Sequence, residues 1–356
     1  MLTTKTALTI TPLGSNSKRR VMDNATTNAI KEAVDALNKA GSIVITVHVQ
    51  PDGDALGSML AMMIYLKSIG KNVCMTLGEK IEIPSQYKWM PTVDEITDFN
   101  DCSITCGDND LLLTLDCASE HRLGLMEDNL SKFKTVIDID HHIDNSKFGT
   151  INVIDFEAAA TCEIVYNILC ELGAEITPDM ANCLYAGVVT DTGRFQYSNT
   201  GAGTLRIAAD LIDLGAEPNE IFHNIYENIS FGGLKLMARI IERARIIADS
   251  KLAYSYIKSS DLAECGVTMA ETETFIDQLR KAKEADAAVI LKETTDGKLR
   301  ASLRSKGYID IAAVAREAGG GGHRNAAGAT FEMSVEDAAS WISSRIVAQN
   351  ATSLAG

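Results

Sequence analysis

Four short segments of this 356-residue chain place carboxylates and imidazoles where they could hold metal ions. The first is His48-Val49-Gln50-Pro51-Asp52-Gly53-Asp54-Ala55-Leu56-Gly57-Ser58. It brings one imidazole and two carboxylates through a glycine-containing turn, enough to aim three ligands at one spot. Its ordinary reading is a loop with Asp54 capping the next helix. The second is Asp116, which ends the apolar run Leu111–Leu115. The third is Asp138-Ile139-Asp140-His141-His142, where acids and imidazoles again follow an apolar run. The fourth is Asp191, near the end of Leu184-Tyr185-Ala186-Gly187-Val188-Val189-Thr190-Asp191-Thr192-Gly193. Taken singly, Asp116 reads as a terminal cap and Asp191 as a helix-end residue without a role, whereas the His pair beside its acids is expensive unless something uses it, a solvated loop being its plain alternative. Taken together, each of the four ends an apolar element. Oxygen and imidazole donors without cysteine suit Mn²⁺ or Mg²⁺ better than Zn²⁺ or Fe²⁺. Six or seven donors exceed the needs of one ion. A dinuclear centre with a bridging carboxylate, its ions about 3.5–4 Å apart, is the natural arrangement.

These residues need elements to bring them together. Ile43–Val49 is apolar and β-branched and predicts a strand, with a helix over Leu56–Ile69 closed by Gly70. Val73–Leu77, Leu111–Leu115 and Thr135–Ile139 predict further strands, and Ala158–Leu172 and Pro178–Val189 predict helices. Strands alternating with helices predict an α/β fold, a parallel sheet flanked by helices. In such a sheet the carboxyl ends of the strands form the ligand-binding edge. Residues 201–248 read as mostly helical with a break near Phe231-Gly232-Gly233. A second β/α pattern follows, with strands at Leu252–Ile257, Ala287–Lys292 and Leu299–Arg304 and a helix over Ile309–Ala318. The expected organisation is a flexible leader over 1–24, a metal-binding domain over 25–228, a helical linker over 229–248 and a smaller α/β domain over 249–350.

Composition limits the partners. The net charge is −15, with 46% hydrophobic, 23% charged and 6% aromatic residues. Long nucleic acids need an extended basic surface with stacking aromatics, so they are excluded, whereas a small anion in a locally basic pocket is not. No apolar run approaches the length of a membrane span. The eight cysteines are irregularly spaced, so reduced thiols and a cytoplasmic location are expected. Cys102 and Cys106 lack a matching second pair and do not predict a zinc site. His121 and His223 read as isolated side chains, and Lys235–Arg245 as a solvated helix face.

One segment is locally basic. Lys298, Arg300, Arg304, Lys306, Arg316 and Arg324 outnumber Asp310 and Glu317 over residues 298–324. Within it, Gly319-Gly320-Gly321-Gly322 precede His323-Arg324. Glycines let backbone N–H groups approach an anion, and arginine grips phosphate in bidentate fashion. The plain alternative is a flexible helix-to-strand connector. With Ser302 and Arg304 nearby, an anion site is the favoured reading.

At this point the chain resembles the DHH phosphoesterases, over about residues 25–350. Asp140-His141-His142 is the triplet that names that family. His48-x-x-x-Asp52-x-Asp54 matches its first motif, Asp116 its second and Asp191 its fourth. Gly319–Gly328 resembles the signature of the accompanying DHHA1 domain, and Arg300–Ser305 the strand before it. Size and domain pair resemble the NrnA-type oligoribonuclease and pAp phosphatase subgroup. The resemblance implies two metal ions, Mn²⁺ first and Mg²⁺ or Co²⁺ next. It places His48, Asp52 and Asp116 on one ion, and Asp54, Asp116, His141 and Asp191 on the other. His142 would face the scissile phosphate, with Asp140 orienting its neighbours. Ser302, Arg304, Gly320, Gly321, Gly322, His323 and Arg324 would bind substrate. Clamped at one end and cleaved at the other, the substrate would be a short oligonucleotide or a bisphosphate such as pAp. Alternatives are cleavage of pApA or cyclic di-AMP, hydrolysis of pyrophosphate, a RecJ-type exonuclease and a sensor without turnover. A homodimer is compatible with the sequence, which carries no feature that demands one.

Overall fold

The computed structural model describes residues 22–78, 83–99, 101–102 and 110–353. Most of the expected leader, and Cys106, lie outside these residues. The described residues form two compact units that divide between Pro218 and Asn219, with residues 83–89 grouping with the second.

The first unit is built on six parallel strands: β1 (Ser42–Val47), β2 (Asn72–Leu77), β3 (Ile96–Asp98), β4 (Asp110–Leu115), β5 (Thr135–Asp140) and β6 (Ile151–Ile154). Their order is β3-β2-β1-β4-β5-β6. The order reverses between β1 and β4, and this switch point is where a doubly wound sheet opens a crevice at its carboxyl edge. The helices are α1 (Asn24–Lys39), α2 (Gly53–Ser68), α3 (Thr161–Glu171), α4 (Pro178–Asp191) and α5 (Ala202–Asp213). Strands sandwiched by packed layers read as continuous apolar runs, and β1, β4 and β5 do so. Val44, Leu112 and Val136 face Leu123, Met126 and Phe133 on one side. Helix α2 is buried almost all round, and its sequence GDALGSMLAMMIYLKS carries a polar face too small to meet water.

Close helix packing rests on glycine. A Cβ on Gly57 would lie 2.4 Å from the Cys183 carbonyl, and one on Gly187 would lie 2.3 Å from Cys162 Sγ and 2.9 Å from Asp54 Oδ1. These contacts set the approach of α4 to the start of α2.

The second unit contains α6 (Pro218–Tyr226), α7 (Phe231–Arg243), α8 (Ser259–Cys265), α9 (Ile276–Arg280), α10 (Ile311–Glu317) and α11 (Val335–Ser353). Its strands are β7 (Arg245–Ile247), β8 (Leu252–Ile257), β9 (Ala287–Glu293), β10 (Leu299–Ser305), β11 (Gly321–His323) and β12 (Ala326–Phe331), ordered β11-β12-β10-β9-β8-β7. Only β8 and β9 pair in parallel. Helix α7 falls in the expected linker. Instead it packs Leu236, Met237 and Ile240 against Ala253, Ile257 and Ile290 of the sheet, as a part of this unit's core. Its apolar stripe at i, i+1, i+4 is the signal that a linker reading passes over.

Asp261 ties α7 to α8. Arg243 pairs with it, one guanidinium nitrogen at 2.8 Å, Arg239 donates at 3.2 Å and the Lys258 N–H at 2.9 Å. The hydrogen bond from Arg243 holds the Asp261 carboxyl well below the usual carboxylate range, despite burial. Stability from a depressed carboxylate is full above its unfolded value of about 3.9 and fades as pH falls below that. Asp261→Asn should therefore cost about 1 kcal/mol at pH 7, partly screened at the arginine ends. The melting-temperature gap from the parent should narrow steadily below about pH 4; a gap independent of pH would refute the assignment.

Cys74 and Cys102 form a disulfide with Cα atoms 6.3 Å apart. The expectation of reduced thiols fails for this pair, because β2 and the segment after β3 run side by side. Cys117, Cys162, Cys183 and Cys265 are free thiols.

Candidate metal centre

Register brings the first three motifs together. Val47 pairs with Leu115 and Leu115 with Ile139, so His48, Asp116 and Asp140 each stand one residue beyond a matched row. His48 and Asp116 leave the sheet at the switch point, and Asp140 is the last residue of β5, the next strand along, paired with Ile154 of β6.

Asp52, not Asp54, caps α2. Its Oδ1 accepts from the N–H groups of Asp54 and Ala55 at 3.0 and 3.1 Å. Asp54 enters the first helical turn fully buried. Its two oxygens accept from the first N–H groups of α3, Thr161 at 2.6 Å and Cys162 at 2.9 Å. A helix N-terminus favours a carboxylate through these amides and the helix dipole. Asp191 is the last residue of α4.

Asp116 stands in the middle. Its Oδ2 lies 3.5 Å from His48 Nε2, and its Oδ1 lies 3.7 Å from His141 Nε2 and 3.6 Å from His142 Nδ1. Thr161 Oγ1 donates to Oδ1 at 3.1 Å. Asp116 has φ of 56°, a left-handed conformation that is costly for a residue with a Cβ and that clusters at functional sites. His141 Nε2 lies 3.3 Å from Asp191 and 4.0 Å from Asp54. Three groups of ligand atoms lie close enough to share an ion: His48, Asp52 and Asp116; Asp54, His141 and Asp191; and Asp116, Asp140, His141 and His142.

The donor set fits divalent cations. His141 Nδ1 lies 3.2 Å from the Ala158 carbonyl, which fixes the tautomer that leaves Nε2 for the carboxylates. Burial and the charges of Asp116 and Asp191 push the Asp54 carboxyl well up. Burial, with Asp52, Asp116 and Asp140 beside it, pushes Asp191 up to about 8. Burial lowers His141, but Asp191, Asp116 and Asp54 outweigh it and raise the imidazolium to about 10. A cluster that holds protons to offset crowded carboxylates would release them on binding divalent ions, each of which supplies the charge of two protons. His48, Asp52, Asp54, Asp116, His141 and Asp191 would hold such ions.

Within the third group, His142 and Asp140 also pair with each other. Asp140 Oδ1 accepts from His142 Nδ1 at 2.7 Å. Burial opposes protonation of His142, while that hydrogen bond and the Asp140 and Asp116 charges raise it.

Several positioning residues escape a reading of the sequence. Asn145 Nδ2 donates to Asp140 Oδ2 at 2.8 Å and to Asp138 Oδ2 at 3.0 Å, tying the loop after β5 to its own strand. Thr114 donates to Asp138 at 3.1 Å. Thr161 and Arg122 also reach the ligands. An Asn three residues after a His pair is a spacing the sequence offers; Thr161 and Arg122 carry no such signal. Asn145→Ala should lower turnover about 10–100-fold, the usual loss for an outer partner of a metal site, with melting little changed. Full turnover would show that Asp140 holds its place unaided.

The residues of the basic segment also meet, within the second unit. Ser302 pairs with Gly328, which pairs with Gly321; Arg304 pairs with Ala326, which pairs with His323. The N–H groups of Gly319 and Gly320 close α10 on the Arg316 and Ala315 carbonyls. The glycine run is thus a helix cap and an edge strand, not a connector loop. A Cβ on Gly320 would lie 2.1 Å from the Gly328 carbonyl, so that strand approach needs glycine. Ser302 is buried and Arg324 exposed, and the side chain of His323 lies outside the described residues.

A doubly wound sheet with acids and paired histidines at its switch point defines a class, and the family models agree. The DHH family N-terminal domain matches residues 42–188 and the DHHA1 domain residues 249–348. The chain belongs to the DHH family. It is 30% identical over 294 residues to the bifunctional oligoribonuclease and PAP phosphatase NrnA of Thermus thermophilus, covering 82% of this chain and 85% of that one. The protein of the same name from Bacillus subtilis is 27% identical over 303 residues, covering 84% and 92%. The crystal structure of an exopolyphosphatase-related protein from Bacteroides fragilis superposes with a TM-score of 0.84 at 27% identity, covering 93% of this chain and 98% of that one. Thermus thermophilus RecJ with Mn²⁺ shares the fold at a TM-score of 0.54 and 14% identity, over 95% of this chain and 56% of that one.

Proposed function

We propose that this protein is a metal-dependent phosphoesterase that hydrolyses short oligonucleotides to 5′-mononucleotides and 3′,5′-bisphosphates such as pAp to AMP and phosphate. The observation that carries this reading is Asp116, a buried carboxylate facing His48 through one oxygen and His141 through the other. That placement supports a ligand shared between two ions. The curated relatives, named for both activities, support the substrate class.

Two divalent ions, with Mn²⁺ the first choice, would lower the pKa of water and neutralise charge on the phosphoryl oxygens. The chain's own residues do the rest. The α3 amides hold Asp54 and Thr161 holds Asp116, so the ligands are arranged before substrate arrives. Asp140 fixes the proton of His142 on Nδ1. The Nε2 of a protonated His142 would then donate to the departing 3′-oxygen, general acid catalysis worth about 10²–10⁴-fold. Ser302, Arg304, Gly320, Gly321, Gly322, His323 and Arg324 would take the substrate's terminal phosphate or base. The same bond, phosphorus to 3′-oxygen, breaks in both reactions.

The test is product release from pAp, five-nucleotide RNA, pApA, cyclic di-AMP and pyrophosphate, with Mn²⁺ and with excess EDTA. Turnover of pAp and RNA that EDTA abolishes and Mn²⁺ restores supports the reading. Turnover confined to pApA or cyclic di-AMP, or to pyrophosphate, overturns it.

A further inference from the structure

Arg122 lies beside the metal centre in an unusual state for this chain. Acidic residues outnumber basic ones by 48 to 33, yet Arg122 is half-buried with no carboxylate within ion-pair distance among the described residues. Its backbone is pinned. The Arg122 carbonyl accepts from the Val49 N–H at 2.8 Å, inside the first motif, and its N–H donates to the Ser119 carbonyl at 3.0 Å. Three residues on, the Leu125 N–H donates to the Gly78 carbonyl at 2.7 Å. The side chain therefore starts from a fixed base beside the first motif.

Its side-chain contact is His48, with Nη2 at 2.9 Å from Nδ1. The same Nδ1 lies 2.8 Å from the Val49 carbonyl. One nitrogen cannot accept from arginine and donate to a carbonyl at once. A His48 that ligates a cation through Nε2, on the side of Asp116, carries its proton on Nδ1 and gives it to Val49. Arg122 then loses its acceptor, and a half-buried charged donor left without one is costly. Its planar fork of N–H groups matches phosphoryl oxygens, which a substrate at this centre brings.

We propose that Arg122 is a phosphate-binding residue of the metal centre, gripping the phosphoryl oxygens of bound substrate and product. The inference rests on the proposed function. The competing role is a positioning one, in which Arg122 orients His48 and acts through the metal alone.

The experiment compares parent, Arg122→Gln and Arg122→Lys proteins by calorimetric titration with Mn²⁺, then with AMP and with inorganic phosphate on the metal-loaded protein. Thermal melting checks the fold. Arg122→Gln should weaken AMP and phosphate binding about 10–100-fold, the loss expected for a charged hydrogen-bonded contact. Mn²⁺ stoichiometry and affinity should stay within about twofold, and Arg122→Lys should recover part of the loss because it keeps the charge but not the fork. On pAp the loss should fall chiefly on KM. Arg122→Gln protein that binds AMP as the parent does, or loses Mn²⁺ affinity tenfold with its phosphate affinity intact once loaded, overturns the inference and leaves the function standing. Parent protein that binds neither anion and hydrolyses no pAp overturns both.

Discussion

Asp116→Asn should reduce phosphoester hydrolysis at least about a thousandfold while leaving the fold in place. The substitution removes one anionic oxygen from the residue that belongs to two of the three ligand groups. Metal stabilisation of a phosphoryl transition state is worth several kcal/mol, and each 1.36 kcal/mol is a tenfold change in rate. Asparagine is the informative replacement because it tolerates the left-handed backbone that Asp116 adopts. Alanine would add backbone strain to the loss of a ligand. Elemental analysis should show fewer than two ions per chain, and melting in EDTA should fall below the parent's, since the His48 hydrogen bond and the His142 and His141 charges that hold the Asp116 carboxyl below its ordinary range, against burial, lose their partner. A variant that keeps its rate, or keeps both ions, would exclude Asp116 as the shared ligand.

Gly187→Ala should do damage out of proportion to one methyl group. Glycine to alanine within a helix ordinarily stabilises by about 1 kcal/mol. Here the new Cβ meets Cys162 Sγ and Asp54 Oδ1. Both lie on or against α2 and α3, so α4 must move outward, and Asp191 at its end moves with it. Overpacking of this kind costs about 1–3 kcal/mol, a fall of several degrees in melting temperature for a unit of this size. A shift of about 1 Å in a ligand is enough for a hundredfold loss in rate. Calorimetric melting and turnover at saturating Mn²⁺ would be measured together. A variant more stable than the parent and fully active would mean that the helices are not held at that distance.

Much of this is legible in the residues. Apolar runs such as Ile43–Val49 and Leu111–Leu115 mark the strands, because a sheet covered on both faces has no polar alternation to obscure them. The ligand segments are visible because a parallel sheet gathers its strand ends at one edge. What stays hidden depends on who meets whom in space. Nothing local in Thr161 tells that its N–H reaches Asp54, or in Cys74 that the segment after β3 brings Cys102 alongside. The sequence offers Asp54 as the cap of α2 when Asp52 holds it, a two-residue choice that turn geometry decides. The glycines at 319–322 are ambiguous for a deeper reason. Glycine permits a loop, a cap or a tight strand, and only the β12 partner fixes which one forms.

The spread of the ligands along the chain has a mechanical consequence. They begin at His48 and end at Asp191, and all lie in the first unit. A bound ion would act there as a cross-link, closing long loops and removing freedom from the unfolded chain much as a disulfide does. The second unit, with its own core around Leu252, Leu291 and Ile342, contains none of these ligands. Chelation should therefore loosen one half of the molecule and spare the other.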